Sequence, residues 1–128
     1  MANQQERLGT KRLVVGAHYG TLDFIAQRVT AVIMAVYTVV LLLGFLFSSE
    51  LNYESWKALF TFRLGALPLG QLLATLAFFS LAWHAWIGVR DIWMDYVRKA
   101  GLRLFLQVLT LLWLTASVVY FAKILWSL

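Results

Sequence analysis

The stretch HAWIGVRDIWMDYV, His84 to Val97, closes a long apolar run yet carries a histidine, an arginine and two aspartates. An imidazole far from water can ligate a metal, relay a proton or simply satisfy a neighbouring helix. A carboxylate beside a phenol, Asp95 and Tyr96, can hydrogen-bond a carbonyl and hand it a proton. These chemistries depend on the depth and facing that the elements holding the residues impose.

Hydrophobic residues make up 62% of the 128-residue chain and charged residues only 13%, about half the charged share of a soluble domain. The deficit points to lipid as the solvent. Spanning a hydrocarbon core takes about 20 mostly apolar residues as a helix, and three stretches qualify: Phe24–Phe47, Leu69–Met94 and Leu102–Trp126. The expected fold is an all-α membrane protein, one compact three-helix domain over residues 1–128. Thr21 reads as an N-cap for the first span and Asp23 as a first-turn acid. The connection Leu51–Ala66 mixes Trp56, Phe60 and Phe62 with Glu54, Lys57 and Arg63, which suits a short interfacial helix. Pro68 then stands where the first turn of the second span tolerates it.

With no cysteine, disulfides, iron–sulfur ligation and c-type haem attachment are excluded. The N-terminal stretch lacks the apolar core of a signal peptide and the pattern of a transit peptide. The net charge of +5 is a matter of topology rather than of nucleic acid. Eight of the eleven Lys/Arg fall in Met1–Arg28 and Arg90–Arg103, so the N-terminus and second loop are expected on the cytoplasmic side and the C-terminus on the outer, periplasmic side.

At about 1.5 Å per residue, His84 lies some 18 Å from Tyr96, near mid-membrane, while Asp95 and Tyr96 reach the cytoplasmic interface. At about 100° per residue, Ala77, Ser80, His84, Gly88, Asp91 and Asp95 share a face. Small residues one turn above and below His84 admit another helix or a flat cofactor, and Phe79, Trp86 and Trp93 lie opposite. A structural histidine, a proton relay and a metal or haem ligand all compete for His84. No titratable ladder continues above it, which counts against the relay. Since His18 lies before the first span, a second axial histidine must come from another chain. On the first span Arg28 enters near the depth of Asp91, followed by Ala31 and Ala35. It can receive a haem propionate or pair with Asp91. A tyrosine at Tyr96 is ordinarily a belt residue, and Asp95 can pair with Arg98 or Lys99 at helical spacing.

The segments RVTAVIMAVYT (Arg28–Thr38) and HAWIGVRDIWMDYV, together with GTLDFIAQRVTA and SSELNYESW, resemble the small hydrophobic membrane-anchor subunit of bacterial succinate dehydrogenase. The histidine followed by Asp–Tyr at eleven and twelve residues is the most specific part. The resemblance implies that His84 is an axial ligand to haem b iron, the other axial histidine coming from the larger cytochrome b anchor chain. It implies that Tyr96 hydrogen-bonds ubiquinone with Asp95 as its acidic neighbour, and that Arg28 lies near the haem propionates and quinone. The implied partners are an iron–sulfur subunit, a flavoprotein subunit and the lipid bilayer of the bacterial inner membrane. His18, Arg90 and Asp91 receive no role from it.

The sequence therefore predicts an anchor and haem b subunit of a succinate:quinone oxidoreductase, not catalytic alone, since no dicarboxylate or flavin site is visible. The alternative is a haem-free scaffold or assembly subunit of another membrane complex. A small transporter needs polar groups at several levels on two helices, and the third span is nearly bare. A homodimer sharing one haem between two copies of His84 is formally open.

Overall fold

The computed structural model describes residues 17–128, with side chains from Gly20 onward. Four helices follow one another: α1 (Ala17–Leu46), α2 (Tyr53–Thr61), α3 (Leu69–Tyr96) and α4 (Ala100–Trp126). Three are long and apolar enough to cross a membrane, within Gly20–Leu46, Leu69–Tyr96 and Ala100–Trp126. These spans agree with the three expected ones to within a turn at each end.

The start of α1 corrects an expectation. Helix already runs through Ala17–Gly20, so Thr21 lies inside α1 and is not its cap, and Asp23 is not in the first turn. The segment between the first two spans forms α2, as its mixed composition requires. Asn52 caps it: Asn52 Oδ1 accepts from the Ser55 backbone N at 2.9 Å, and Ser55 Oγ accepts from the Asn52 backbone N at 3.1 Å. This reciprocal pair satisfies two donors that a helix start otherwise leaves unmade. After α2 the chain turns through a two-way backbone bridge between Leu64 and Leu67, with Gly65 at φ +62°. That left-handed conformation costs glycine nothing. Pro68 is the N-cap residue of α3, and its carbonyl accepts from Leu72 N at 3.1 Å.

Of the three long helices α3 is the hub, with α1 and α4 packed along it and touching each other marginally at most. The physical reason lies in the residues of α3. Its buried stripe is Gly70, Ala74, Ala77, Ser80 and Ile87, mostly small, and lets α1 approach. Its other side carries Phe78, which stacks on Phe121 of α4 at 4.0 Å between ring centres and 9° between planes. Trp93 Nε1 donates to Thr110 Oγ1 at 3.1 Å, and Gln71 Nε2 to the Leu125 carbonyl at 3.1 Å, so α4 is tied near both ends. At the α2 end, Gly70 is a true close approach: a Cβ there would stand 2.8 Å from the Phe60 carbonyl and the Phe62 nitrogen. Few apolar side chains are buried among the described residues, and the flanks of all three spans remain exposed, as lipid or a partner chain demands.

Candidate functional site

The polar residues of the α1–α3 seam gather at the end that carries the first turns of α1 and the α3–α4 connection. Arg90 Nη2 donates to Asp23 Oδ2 across the seam and lies 3.5 Å from Asp91 Oδ1 on its own helix. The guanidinium thus binds α1 to α3 by charge, in a position where lipid on the outside would make an unpaired charge expensive. The expected alternative partnership of Arg28 with Asp91 does not form, because Arg90 stands between the two carboxylates and takes both. Arg28 instead lies over the ring of Phe24, 4.9 Å from its centre. It is exposed and lines a groove of about 510 Å³ with Asp23, Gln27 and Asp91. Both members of the once-expected pair therefore face the same groove unbonded to each other.

Two turns further along α1, Thr30 meets His84. Thr30 is 8% exposed, and its Oγ1 lies 3.1 Å from His84 Nδ1. The same hydroxyl lies 2.6 Å from the Ala26 carbonyl and 3.2 Å from that of Gln27. His84 Nε2 has no hydrogen-bond partner among the described residues. Of the small residues flanking His84, Ser80 is 3% exposed and belongs to the stripe under α1. Gly88 is open: a Cβ there would come no nearer than 3.9 Å, to Gln27 Nε2. Helix and flat cofactor are alternatives for this face in the sequence, and at Ala77 and Ser80 the protein itself covers it.

Asp95 and Tyr96 end the helix. Tyr96 is 81% exposed and Asp95 is exposed as well. Asp95 makes no ion pair with Arg98 or Lys99 among the described residues, because α3 stops at Tyr96. Val97 is extended, at φ −98° and ψ 110°, which carries the two cations out of helical spacing. The phenol and carboxylate are left with free donors and acceptors about 18 Å along α3 from His84. His18 lies within α1, but its side chain is outside the described residues.

Two residues of this arrangement carry weight that the sequence reading did not give them. Thr30 was only part of a short motif and Arg90 had no role. Both were within reach of a register argument. Asp23 lies seven residues before Thr30, and Arg90 lies six residues after His84 on an antiparallel helix, so a Thr30–His84 contact brings the two charges level to within one residue's rise.

No group of three or more His, Asp or Glu side chains converges among the described residues, so a metal held by this chain alone has no site there. A metal held by one axial ligand from each of two chains needs only His84. The sequence model for the succinate dehydrogenase/fumarate reductase transmembrane subunit matches residues 2–121. The succinate dehydrogenase hydrophobic membrane anchor subunit of Coxiella burnetii is 33% identical over 107 residues, covering 84% of this chain and 89% of that relative. Taken with the three apolar spans that the match runs across, this chain belongs to the succinate dehydrogenase/fumarate reductase transmembrane subunits and is a multi-pass membrane-anchor subunit working beside the other subunits of that complex.

Proposed function

We propose that this chain is the haem b-binding anchor subunit of a succinate:quinone oxidoreductase in a bacterial inner membrane, and that it contributes to the ubiquinone-reduction site. The observation that carries the reading is the asymmetry of the His84 ring, with Nδ1 bound to Thr30 Oγ1 and Nε2 without a partner among the described residues. A histidine kept only for packing between helices needs partners for both nitrogens, since an unmade bond in an apolar setting costs free energy. One held nitrogen and one open nitrogen is the arrangement of an axial ligand. The residues present fit haem b on this ground: His84 Nε2 would hold the iron and Arg28 would receive a propionate. The second axial histidine is assigned to the larger cytochrome b anchor chain. The chemistry that haem b supplies is reversible one-electron storage.

The remaining roles follow from position. Of the described Lys/Arg, Arg28, Arg90, Arg98, Lys99 and Arg103 lie toward the end of Asp23 and Tyr96, and Lys57, Arg63 and Lys123 toward the other end. That end is accordingly assigned to the cytoplasm and the C-terminus to the periplasmic side. The flavoprotein and iron–sulfur subunits dock at the cytoplasmic end, and the whole chain acts as one anchor domain. Tyr96 would hydrogen-bond a ubiquinone carbonyl oxygen, and as two electrons arrive from the iron–sulfur subunit, Asp95 and Tyr96 would pass the two protons of quinol formation from the water side. Both side chains are exposed and without a hydrogen-bond or ion-pair partner among the described residues, which supports this use of them.

The test separates the roles. In the purified complex, His84→Leu should abolish or shift the low-spin b-type bands of a reduced-minus-oxidised spectrum, and unchanged bands would remove ligation. Tyr96→Phe should lower quinone reduction by about 10²-fold, while succinate oxidation with a soluble dye acceptor stays at the wild-type rate. Equal loss of both activities would indicate an assembly defect and remove Tyr96 from quinone chemistry.

A further inference from the structure

The hydroxyl of Thr30 has one proton and three acceptor-like atoms around it: the Ala26 carbonyl at 2.6 Å, the Gln27 carbonyl at 3.2 Å and His84 Nδ1 at 3.1 Å. Two oxygens do not approach to 2.6 Å with only lone pairs between them, so the proton lies on the line to Ala26. A threonine inside a helix commonly returns its hydroxyl to the carbonyl four residues back, and doing so sets its rotamer. With that proton committed, Oγ1 has only lone pairs to offer His84. A 3.1 Å contact between Oγ1 and an unprotonated Nδ1 would then be repulsive, so Nδ1 must carry the hydrogen. A neutral imidazole has a single N–H. Its lone pair is therefore on Nε2.

We infer that Thr30 is the positioning residue for His84: its hydroxyl accepts the Nδ1 hydrogen, fixing both the ring plane and the tautomer whose Nε2 is ready for iron before any cofactor arrives. This deepens the haem reading and rests on it for the identity of the ligand, though not for the tautomer. Thr30 sits at the centre of the α1–α3 seam and is 8% exposed, so water does not compete for the bond. The acceptor is a neutral hydroxyl, itself polarised by donating to Ala26. It strengthens the imidazole as a donor without charging it, which suits a ligand sunk in an apolar helix pair. The Asp23–Arg90 pair, about 10 Å along the seam, holds α1 at the register in which this contact is made.

The experiment compares Thr30→Val, which keeps the shape and removes the acceptor, with Thr30→Ser, which keeps the hydroxyl. The full chain with 15N-labelled histidine is reconstituted in lipid without haem, and the His84 signal is assigned by its loss in His84→Leu. The wild type and Thr30→Ser should show protonated Nδ1, and Thr30→Val should shift population to protonated Nε2. In the assembled complex, Thr30→Val should weaken haem retention by about 10–100-fold, the range for loss of an outer partner to a metal ligand. It should also raise the haem midpoint potential, because a less polarised imidazole donates less to oxidised iron. Thr30→Ser should restore both. Protonated Nε2 in the wild type would overturn the inference, as would Val and Ser variants that behave alike. Should the Val variant not assemble, the tautomer in the wild type and Thr30→Ser decides. Should His84→Leu keep the b-type bands, the haem reading fails while the tautomer result still stands or falls by itself.

Discussion

Along one flank of α3 the contacts to α1 are polar: an Arg90–Asp23 ion pair at one end and a Thr30–His84 hydrogen bond in the middle. Along the other flank the contacts to α4 are uncharged: the Phe78–Phe121 ring stack and hydrogen bonds from Trp93 to Thr110, Gln71 to the Leu125 carbonyl and Trp126 to Thr75. Lipid removes the hydrophobic force that would drive helices together in water, so each seam must be held by packing and directed bonds. The two seams solve that problem differently, and the difference falls where the chemistry does. Charges and an imidazole hold the helix that carries Arg28, and that same contact leaves His84 Nε2 without a partner among the described residues. A ring stack and neutral hydrogen bonds hold the helix that carries no candidate site residue. The α1 seam therefore depends on a charged contact, while the α4 seam spreads its stabilisation over a ring stack and several uncharged bonds.

The largest expected effect comes from breaking the charged seam. Arg90→Leu leaves Asp23 and Asp91 without their cation. A fully buried pair that loses one partner costs about 3–5 kcal/mol and an exposed one at most about 1. The side chains of Arg90 and Asp23 are 25% and 43% exposed, so a loss of about 2 kcal/mol is expected, read as a lower unfolding midpoint of the purified complex. Adding Asp23→Asn should recover part of it, because the unpaired carboxylate is then gone. Losses that simply add in this double-mutant cycle would show that the two residues do not interact. Haem content should fall with stability in the single variant, since the same pair holds the register at His84.

A smaller effect is expected on the other flank. Phe121→Leu keeps most of the apolar volume and removes the ring contact with Phe78, for about 1 kcal/mol. Its value lies in what should not change. The b-type bands and the ratio of quinone to dye reduction should match the wild type, because among the described residues no candidate site residue is hydrogen-bonded or ion-paired to α4. A shifted haem spectrum in this variant would mean that the two seams are coupled through α3 and that the contrast drawn between them is wrong.

Much of this was legible in the sequence because lipid imposes a coarse rule. A run of about 20 apolar residues must be a helix, so the three spans, the Pro68 start and the short helix between the first two spans could all be read from residue type. The site was legible only in part. His84, Asp95, Tyr96 and Arg28 stand out as polar groups in apolar or boundary settings, but their partners depend on which helix packs where. The hydrophobic pattern of a lipid-embedded helix is nearly uniform around its circumference and does not reveal the facing. For that reason the residue types alone allow an Arg28–Asp91 pairing, whereas Arg90 takes both carboxylates. Asp95 with Arg98 or Lys99 failed for a local reason, the end of the helix at Tyr96. Thr30 was hidden because a threonine in a helix usually satisfies itself, and only the position of His84 gives its lone pairs a second use.

The smallest effect tests whether the seams, rather than the loops, determine what the anchor does. Asn52 caps α2 at the far end from Asp23 and Tyr96, and its exchange with Ser55 satisfies one donor on each residue. Asn52→Ala removes the acceptor for Ser55 N, and caps of this kind are worth about 1 kcal/mol. Because α2 packs against both α1 and α3, the loss should loosen that end. It should show as faster hydrogen exchange or proteolysis confined to residues 47–67, with little change in the global unfolding midpoint. His84 is 32 positions away in the chain and is held by Thr30, not by α2, so the haem bands and quinone reduction should be those of the wild type. If the bands moved with the cap, the register of α1 on α3 would be set from the α2 end, and the polar seam would be a consequence of that register rather than its cause.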